Sequence, residues 1–154
     1  MYSLTRIQKL PISIDKAWDF FSSPANLQKI TPPDMGFDMT SELPDEMYPG
    51  MIISYKVRPL FGIPVKWVTE ITHINKPDYF IDNQLAGPYR VWHHQHFFKE
   101  VEGGMEMTDI VHYDLPAAFF GSIVHRLLVR KRVEEIFDYR HKVLADLFGE
   151  VGKG

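Results

Sequence analysis

Polar and apolar residues alternate along most of this 154-residue chain, and the alternation predicts strands more than helices. Tyr2–Leu10 is β-leaning and ends at Pro11. Ser13 supplies an N-cap, and Ile14, Ala17, Trp18 and Phe21 then recur at helical spacing, with Asp15 in the first turn. Ser22-Ser23-Pro24 breaks this helix, Pro24–Ile30 forms a second short one, and Thr31-Pro32-Pro33 ends it. Six candidate strands follow: Phe37–Glu42, Met51–Arg58, Val65–Ile74, Tyr79–Leu85, Arg90–Val101 and Met105–Leu115. Turn-forming segments separate them, among them Tyr48-Pro49-Gly50, Asn75-Lys76-Pro77-Asp78, Gly87-Pro88 and Gly103-Gly104. Such short connections favour sequential antiparallel pairing.

After Gly121-Ser122 the period lengthens. Val124, Leu127, Leu128, Ile136, Phe137, Val143, Leu144, Leu147 and Phe148 predict one stripe of a long helix, stopped at Gly149. At 1.5 Å per residue it spans roughly 39 Å, enough to cross a sheet. The predicted class is α+β: a seven-stranded curved antiparallel sheet, two short helices after the first strand, and one long C-terminal helix. A single helix cannot fill the hollow of such a sheet, so a cavity is expected between them. Residues 1–149 read as one domain and 150–154 as a frayed tail.

Alternation also sorts the candidate chemistry, because alternate residues of a strand share a face. Trp92, His94, His96 and Phe98 fall on one face, and His93, Gln95 and Phe97 on the other. On the next strand Met105, Met107, Asp109, Val111 and Tyr113 make a nearly apolar face broken by Asp109. A turn centred between Glu102 and Gly103 sets His96 opposite Asp109 and His94 opposite Val111, which merges the two faces into one inner surface. A turn centred between Lys76 and Pro77 sets Asp82 opposite Ile71 and Gln84 opposite Thr69, with Trp67 on the same side. An odd-length Leu85–Tyr89 connection or a bulge places Asp82 opposite His94, and an even one separates them.

Three readings of this polar group stand side by side. Asp109 accepts from His96 and simply satisfies it. Alternatively the carboxylate fixes an imidazole tautomer for acid–base work, with His94, His96 and Asp109 as the catalytic candidates. The third reading is a metal held by the His-x-His pair. It needs a third ligand, and Asp109 cannot both ligate and orient a ring, so neither a metal nor another cofactor is expected. Arg140 lies near the apolar stripe of the long helix, either reaching a carboxylate or an anionic ligand or snorkelling to solvent.

Four segments carry a resemblance: Asp82-Asn83-Gln84 with Gly87-Pro88-Tyr89, Trp92-His93-His94-Gln95-His96-Phe97-Phe98, Thr108-Asp109-Ile110-Val111-His112-Tyr113, and Ile136-Phe137-Asp138-Tyr139-Arg140. Together with the element order they resemble the SRPBCC or START-like helix-grip superfamily. That superfamily includes the birch-pollen allergen proteins and the polyketide cyclase/dehydrase-like proteins. The segments look most like a bacterial ligand-binding subgroup, some members of which are joined to sugar-epimerase-like domains. The resemblance implies the fold and a pocket, and favours Asp82 and His94 on one face. It does not fix an activity.

Composition narrows the partners. The net charge of −3 gives no basic footprint for nucleic acid. The absence of cysteine excludes disulfides and thiolate sites and fits a cytoplasmic setting. No apolar run reaches membrane-spanning length. There is no phosphate-binding glycine loop and no G-x-S-x-G elbow.

The expected function is therefore binding of a small, largely apolar molecule that is lipid-, isoprenoid- or polyketide-like, in a pocket of hundreds of Å³. Trp67, Trp92, Phe98, Met107 and Tyr113 would line its wall. Asp82, Gln84, His94, His96, Asp109 and Arg140 would meet its polar end. The alternatives are a cyclase/dehydratase-type enzyme using a His/Asp pair, and an interaction module or homodimer built on the apolar connector Leu115–Gly121 with its Phe119-Phe120 pair. The basic residues His125, Arg126, Arg130, Lys131 and Arg132 read as a solvated helix face.

Overall fold

The protein is described from a computed structural model over residues 1–42, 44–59, 61–116 and 123–152, with the backbone alone for 124–126. Its elements are β1 (Tyr2–Leu10), α1 (Ile14–Phe21), α2 (Pro24–Leu27), β2 (Asp38–Met39), β3 (Met51–Val57), β4 (Val65–Asn75), β5 (Tyr79–Ala86), β6 (Val91–Val101), β7 (Gly104–Asp114) and α3 (Ile123–Phe148). Short 3₁₀ turns extend α2 over Gln28–Ile30 and recur at Pro33–Met35. The seven strands form one curved antiparallel sheet in the order β1-β7-β6-β5-β4-β3-β2, with α3 as its long C-terminal helix. This is an α+β, helix-grip-like arrangement. No helix among the described residues is long and apolar enough to cross a membrane.

Local chemistry explains most of the boundaries. Ser13 caps α1 by accepting from the Lys16 amide at 3.2 Å. β2 holds two residues where six were expected. The amides of Thr40 and Ser41 both converge on the Ser54 carbonyl, at 2.9 and 3.2 Å, so the chain leaves the ladder there. At the other sheet edge, Gly104 opens β7 with φ +156°, pressed against the end of β1. A Cβ built there would lie 2.1 Å from the Leu10 carbonyl oxygen and 2.9 Å from its carbon. Gly104→Ala is expected to cost at least about 2 kcal/mol, read as a lowered urea midpoint. An unchanged midpoint would mean that β1 and β7 can separate freely at this end.

The helix α3 corrects the predicted stripe. Burial recurs at Val129, Val133, Phe137, Arg140 and Leu144, whereas Leu127, Leu128 and Leu147 are exposed. The helix is fastened over the sheet edge by Gln8, whose side chain donates to the His141 carbonyl at 2.9 Å, and by Arg6 to Asp138 at 3.2 Å. Of its described basic residues Arg130 and Lys131 are solvent-exposed, as expected, and Arg132 is mostly buried. Arg130 meets Glu134 at 3.0 Å, and Arg132 reaches Asp34 at 2.6 Å and the Pro59 carbonyl at 3.0 Å. Val151 is half-buried beside the Gly103 turn, so the chain beyond α3 folds back over the β6–β7 hairpin. The Phe119-Phe120 pair lies outside the described residues.

Two apolar clusters result. One, around Trp18, Phe80, Phe98 and Met105, seals α1 to the sheet. The other, around Tyr55, Trp67, Val111, Tyr113 and Phe137, lies beneath α3.

Candidate functional site

Registers place the polar residues. β6 and β7 pair His96 with Asp109 and His94 with Val111, as the hairpin turn predicts. β4 and β5 pair Asp82 with Ile71 and Gln84 with Thr69. The β5–β6 connection is the joining kind, so Asp82 faces His94 and Phe80 faces His96. Asp82, His94, His96 and Asp109 therefore converge on the concave face, and Arg140 comes down on them from α3.

Their contacts run along the diagonals of the register. His94 Nε2 is 2.8 Å from Asp109 Oδ1, and His96 Nε2 is 2.8 Å from Asp82 Oδ2. A carboxylate can only accept, so both nitrogens carry protons. The remaining ring nitrogens complete a closed square. His96 Nδ1 lies 3.1 Å from Asp109 Oδ1, too poorly aligned for a hydrogen bond, and His94 Nδ1 lies 3.8 Å from Asp82 Oδ2. The two imidazoles are 3.7 Å apart, and Phe80 stacks on the far side of His96 at 4.1 Å. The expected direct pair of His96 and Asp109 is thus corrected: Asp109 is bonded to His94, and Asp82 to His96.

Arg140 does not snorkel. Its side chain is nine-tenths buried, its guanidinium lies 4.8 Å from the Phe137 ring centre, and its nearest carboxylate oxygen is Asp109 Oδ1 at 3.7 Å. It makes no hydrogen bond among the described residues, and its buried Nε has no partner.

Electrostatics follow from burial. Asp109 is 1% exposed and His94 4%. Burial alone would raise the carboxyl of Asp109, but the bond from His94, the close approach of His96 and the charge of Arg140 hold it well below the usual range. Asp82 is likewise lowered against burial, by His96, His94 and Arg140. Burial and the charge of His96 push His94 down to about 4, against the pull of Asp109 and Asp82. For His96, burial is outweighed by Asp109 and Asp82, and its affinity for a proton rises. Near neutrality the group therefore holds two carboxylates beneath Arg140 with His94 neutral, while His96 keeps its proton to higher pH than a free imidazole does.

A cavity of about 140 Å³, partly open to solvent, lies against this group. Trp67, Tyr55, Tyr89, Trp92, Ile53, Ile71 and Phe80 form the sheet wall. Phe20, Phe21, Leu27, Ile30, Met35 and Phe37 close it from the side of α1 and α2, and Ile136 from α3. Asp82, His94, His96 and Arg140 are the ionisable groups of the lining, which is otherwise mainly apolar with Ser23, Asn26, Thr31 and Thr69 as its remaining non-aromatic polar side chains. The volume is below the several hundred Å³ expected and matches a cavity that takes a single benzene-sized ring.

Five residues expected to line the pocket, three in its wall and two at its polar end, are elsewhere. Phe98 packs against Trp18 and Phe21 in the α1 cluster. Met107 belongs to the same cluster, and Tyr113 stacks on Tyr2. Asp109 sits behind the histidines and touches the cavity only through them. Gln84 donates to the Tyr89 carbonyl at 2.6 Å and accepts from its amide at 3.3 Å. It caps the β5–β6 connection, lying where a Cβ on Gly87 would be 2.4 Å from its Oε1. Alternation could have found Phe80, two residues before Asp82, and Thr69, two after Trp67. Thr69 accepts from the Trp67 indole at 3.0 Å and meets the Tyr55 hydroxyl at 3.2 Å.

No protein-family model matches the chain, and no curated protein does. Solved structures match it closely in shape. Protein Ms6760 from Mycobacterium smegmatis superposes with a TM-score of 0.70 at 18% identity, over 94% of this chain and 89% of that one. Ara h 8.0201 does so with a TM-score of 0.64 at 10% identity, over 94% and 98%. The likeness is one of fold. The nucleoside-diphosphate sugar epimerase from Corynebacterium glutamicum matches at 20% identity and a TM-score of 0.62, over 93% of this chain but only 28% of the epimerase.

Proposed function

We propose that the protein binds a small organic molecule in the cavity between sheet and helix, with an apolar body no wider than about one ring and a polar end at Asp82, His94, His96 and Arg140. The observation that supports this reading is the confinement of every charged lining group to one wall of an aromatic cavity. Buried polar groups normally find partners within the protein, and Arg140 has donors to spare. An oxygen-bearing ligand end, such as a carboxylate, would accept from that guanidinium while the body packs on Trp67 and Trp92.

The three tryptophans make the test direct, because Trp67 and Trp92 line the cavity and Trp18 does not. Titration with benzoate, phenol and octanoate, followed by indole N–H resonances, should shift Trp67 and Trp92 and leave Trp18 in place. Leu27→Trp, which fills the α2 side of the cavity, should abolish those shifts while leaving the thermal midpoint within a few degrees. Equal shifts at all three indoles, or shifts that survive Leu27→Trp, would reject the cavity as the binding place. Native mass spectrometry of the protein from its own host would then name the molecule.

A second reading, proton transfer on the bound molecule, is supported by His94 and His96 being pushed in opposite directions. Its mark would be a probe recovered chemically altered, which simple binding does not produce.

A further inference from the structure

We propose that Asp82, His94 and His96 form a site for one divalent first-row transition-metal ion, open to the cavity. The three side chains each present one donor atom, all within 4.8 Å of one another. Asp82 Oδ2 lies 2.8 Å from His96 Nε2 and 3.8 Å from His94 Nδ1. Donors on neighbouring corners around an ion at 2.0–2.2 Å stand about 2.9–3.5 Å apart, so the two separations from Asp82 need adjustments of only a few tenths of an ångström, and the two imidazoles close on the ion by turning about their side-chain bonds. Two imidazoles and one carboxylate suit zinc, cobalt, nickel or ferrous iron, and the set suits magnesium or calcium poorly.

The rings are already oriented as ligands. Each turns one nitrogen toward Asp82 and the other toward Asp109, with His94 Nε2 at 2.8 Å and His96 Nδ1 at 3.1 Å from the same Asp109 oxygen. A carboxylate behind a ligating histidine, holding its far N–H, is the recurrent outer partner of such sites. Asp109 would serve both rings, and the nearby Arg140 guanidinium offsets its charge. The proton now shared between His96 Nε2 and Asp82 is the one the ion displaces. His96 Nδ1, unbonded in the metal-free arrangement, becomes the N–H that donates to Asp109. Three protein donors leave further positions of the ion facing the cavity, where water or the polar end of a ligand completes it. The site stands on these side chains alone and does not depend on the ligand proposed above.

The test is titration of the chelator-stripped full chain with Co²⁺, followed by its visible absorption, with Zn²⁺ as competitor. One equivalent should bind, Zn²⁺ should displace it, and nitrogen-15 NMR should place the ion on His94 Nδ1 and His96 Nε2. Asp82→Asn and His94→Gln should each weaken binding by about tenfold or more, and Asp109→Asn by about 10–100-fold. His93→Gln, on the outer face, should change nothing. Should a histidine variant fail to fold, Asp82→Asn decides, because Asp82 is the most exposed of the three. No binding by the wild type, or binding that survives Asp82→Asn yet is lost in His93→Gln, overturns the site.

Discussion

Asp109→Ala is expected to lower the free energy of unfolding by about 3–5 kcal/mol, the largest effect of any single substitution in the polar group. The carboxylate is 1% exposed and faces three cationic or N–H-bearing side chains at once. Removing it leaves the His94 Nε2–H without an acceptor and strips the nearest countercharge from Arg140, which cannot shed its proton. Water repairs this poorly, because Asp109 lies behind the histidines rather than on the main cavity, and the hollow it shares with Gln8, Arg140 and His141 measures only about 10 Å³. Asp82→Ala should cost much less, about 1–2 kcal/mol, although it removes the same kind of group. Its side chain keeps 14% exposure and faces the cavity, where water can replace it. Urea unfolding of the two variants measures the contrast. Equal losses, or an Asp109→Ala loss under about 1 kcal/mol, would mean that the square of contacts is not what holds Arg140 and the histidines inside.

The same square shows how far the amino-acid pattern reaches. A period of two and the hairpin turn at Glu102-Gly103 brought His94, His96 and Asp109 to one face. The β4–β5 turn instead pairs Asn75 with Tyr79 and is centred on Pro77, one half-step from the expected place, and a bulge at Thr72 restores the register that sets Asp82 opposite Ile71. Strand register fixes where Cβ atoms stand, and it did so here to the residue. Register does not choose rotamers, and the hydrogen bonds run diagonally, His94 to Asp109 and His96 to Asp82. Gln84 shows the same gap. Its position in the strand points it at the cavity, but the sharp β5–β6 connection offers the Tyr89 backbone, and the amide side chain takes it.

The long helix was harder to read for a different reason. Apolar residues occur on more than one of its faces, so the pattern allowed several phases, and an arginine at a core position argued against the true one. Arg140 is tolerated there only because two carboxylates from the sheet lie beneath it, a fact of tertiary structure that no helix pattern contains. The cavity itself was foreseeable from one helix facing seven strands. Its modest size was not, since Phe20, Phe21, Leu27 and Met35 from the α1–α2 region fill much of the hollow.

Stability of the metal-free protein should be greatest near pH 6.5 and fall on both sides of it. Four groups from three elements set the curve: Asp82 on β5, His94 and His96 on β6, and Asp109 on β7, all under Arg140 of α3. His94 has its proton affinity lowered from 6.5 to about 4 by burial and by the charge of His96. Between those values the unfolded chain takes up a proton that the folded chain refuses, so stability falls as pH drops through the window, by about 3 kcal/mol in all. His96 is raised, so its contribution is complete below 6.5 and is lost as pH climbs through its folded value. The two aspartates are lowered, so their contribution is present above 3.8 and disappears only as pH falls through their still lower folded values. The acid limb above pH 4 therefore belongs chiefly to His94. His93, lowered by its own partial burial and by His112, adds to it in the same direction. Urea midpoints measured with a chelator present, for the wild type and for His94→Gln, separate the two. The variant should lose most of the slope between pH 6.5 and 4 and keep the alkaline limb. A wild-type profile that is flat across that window, or a His94→Gln profile parallel to it, would place a charged rather than a neutral imidazole at His94.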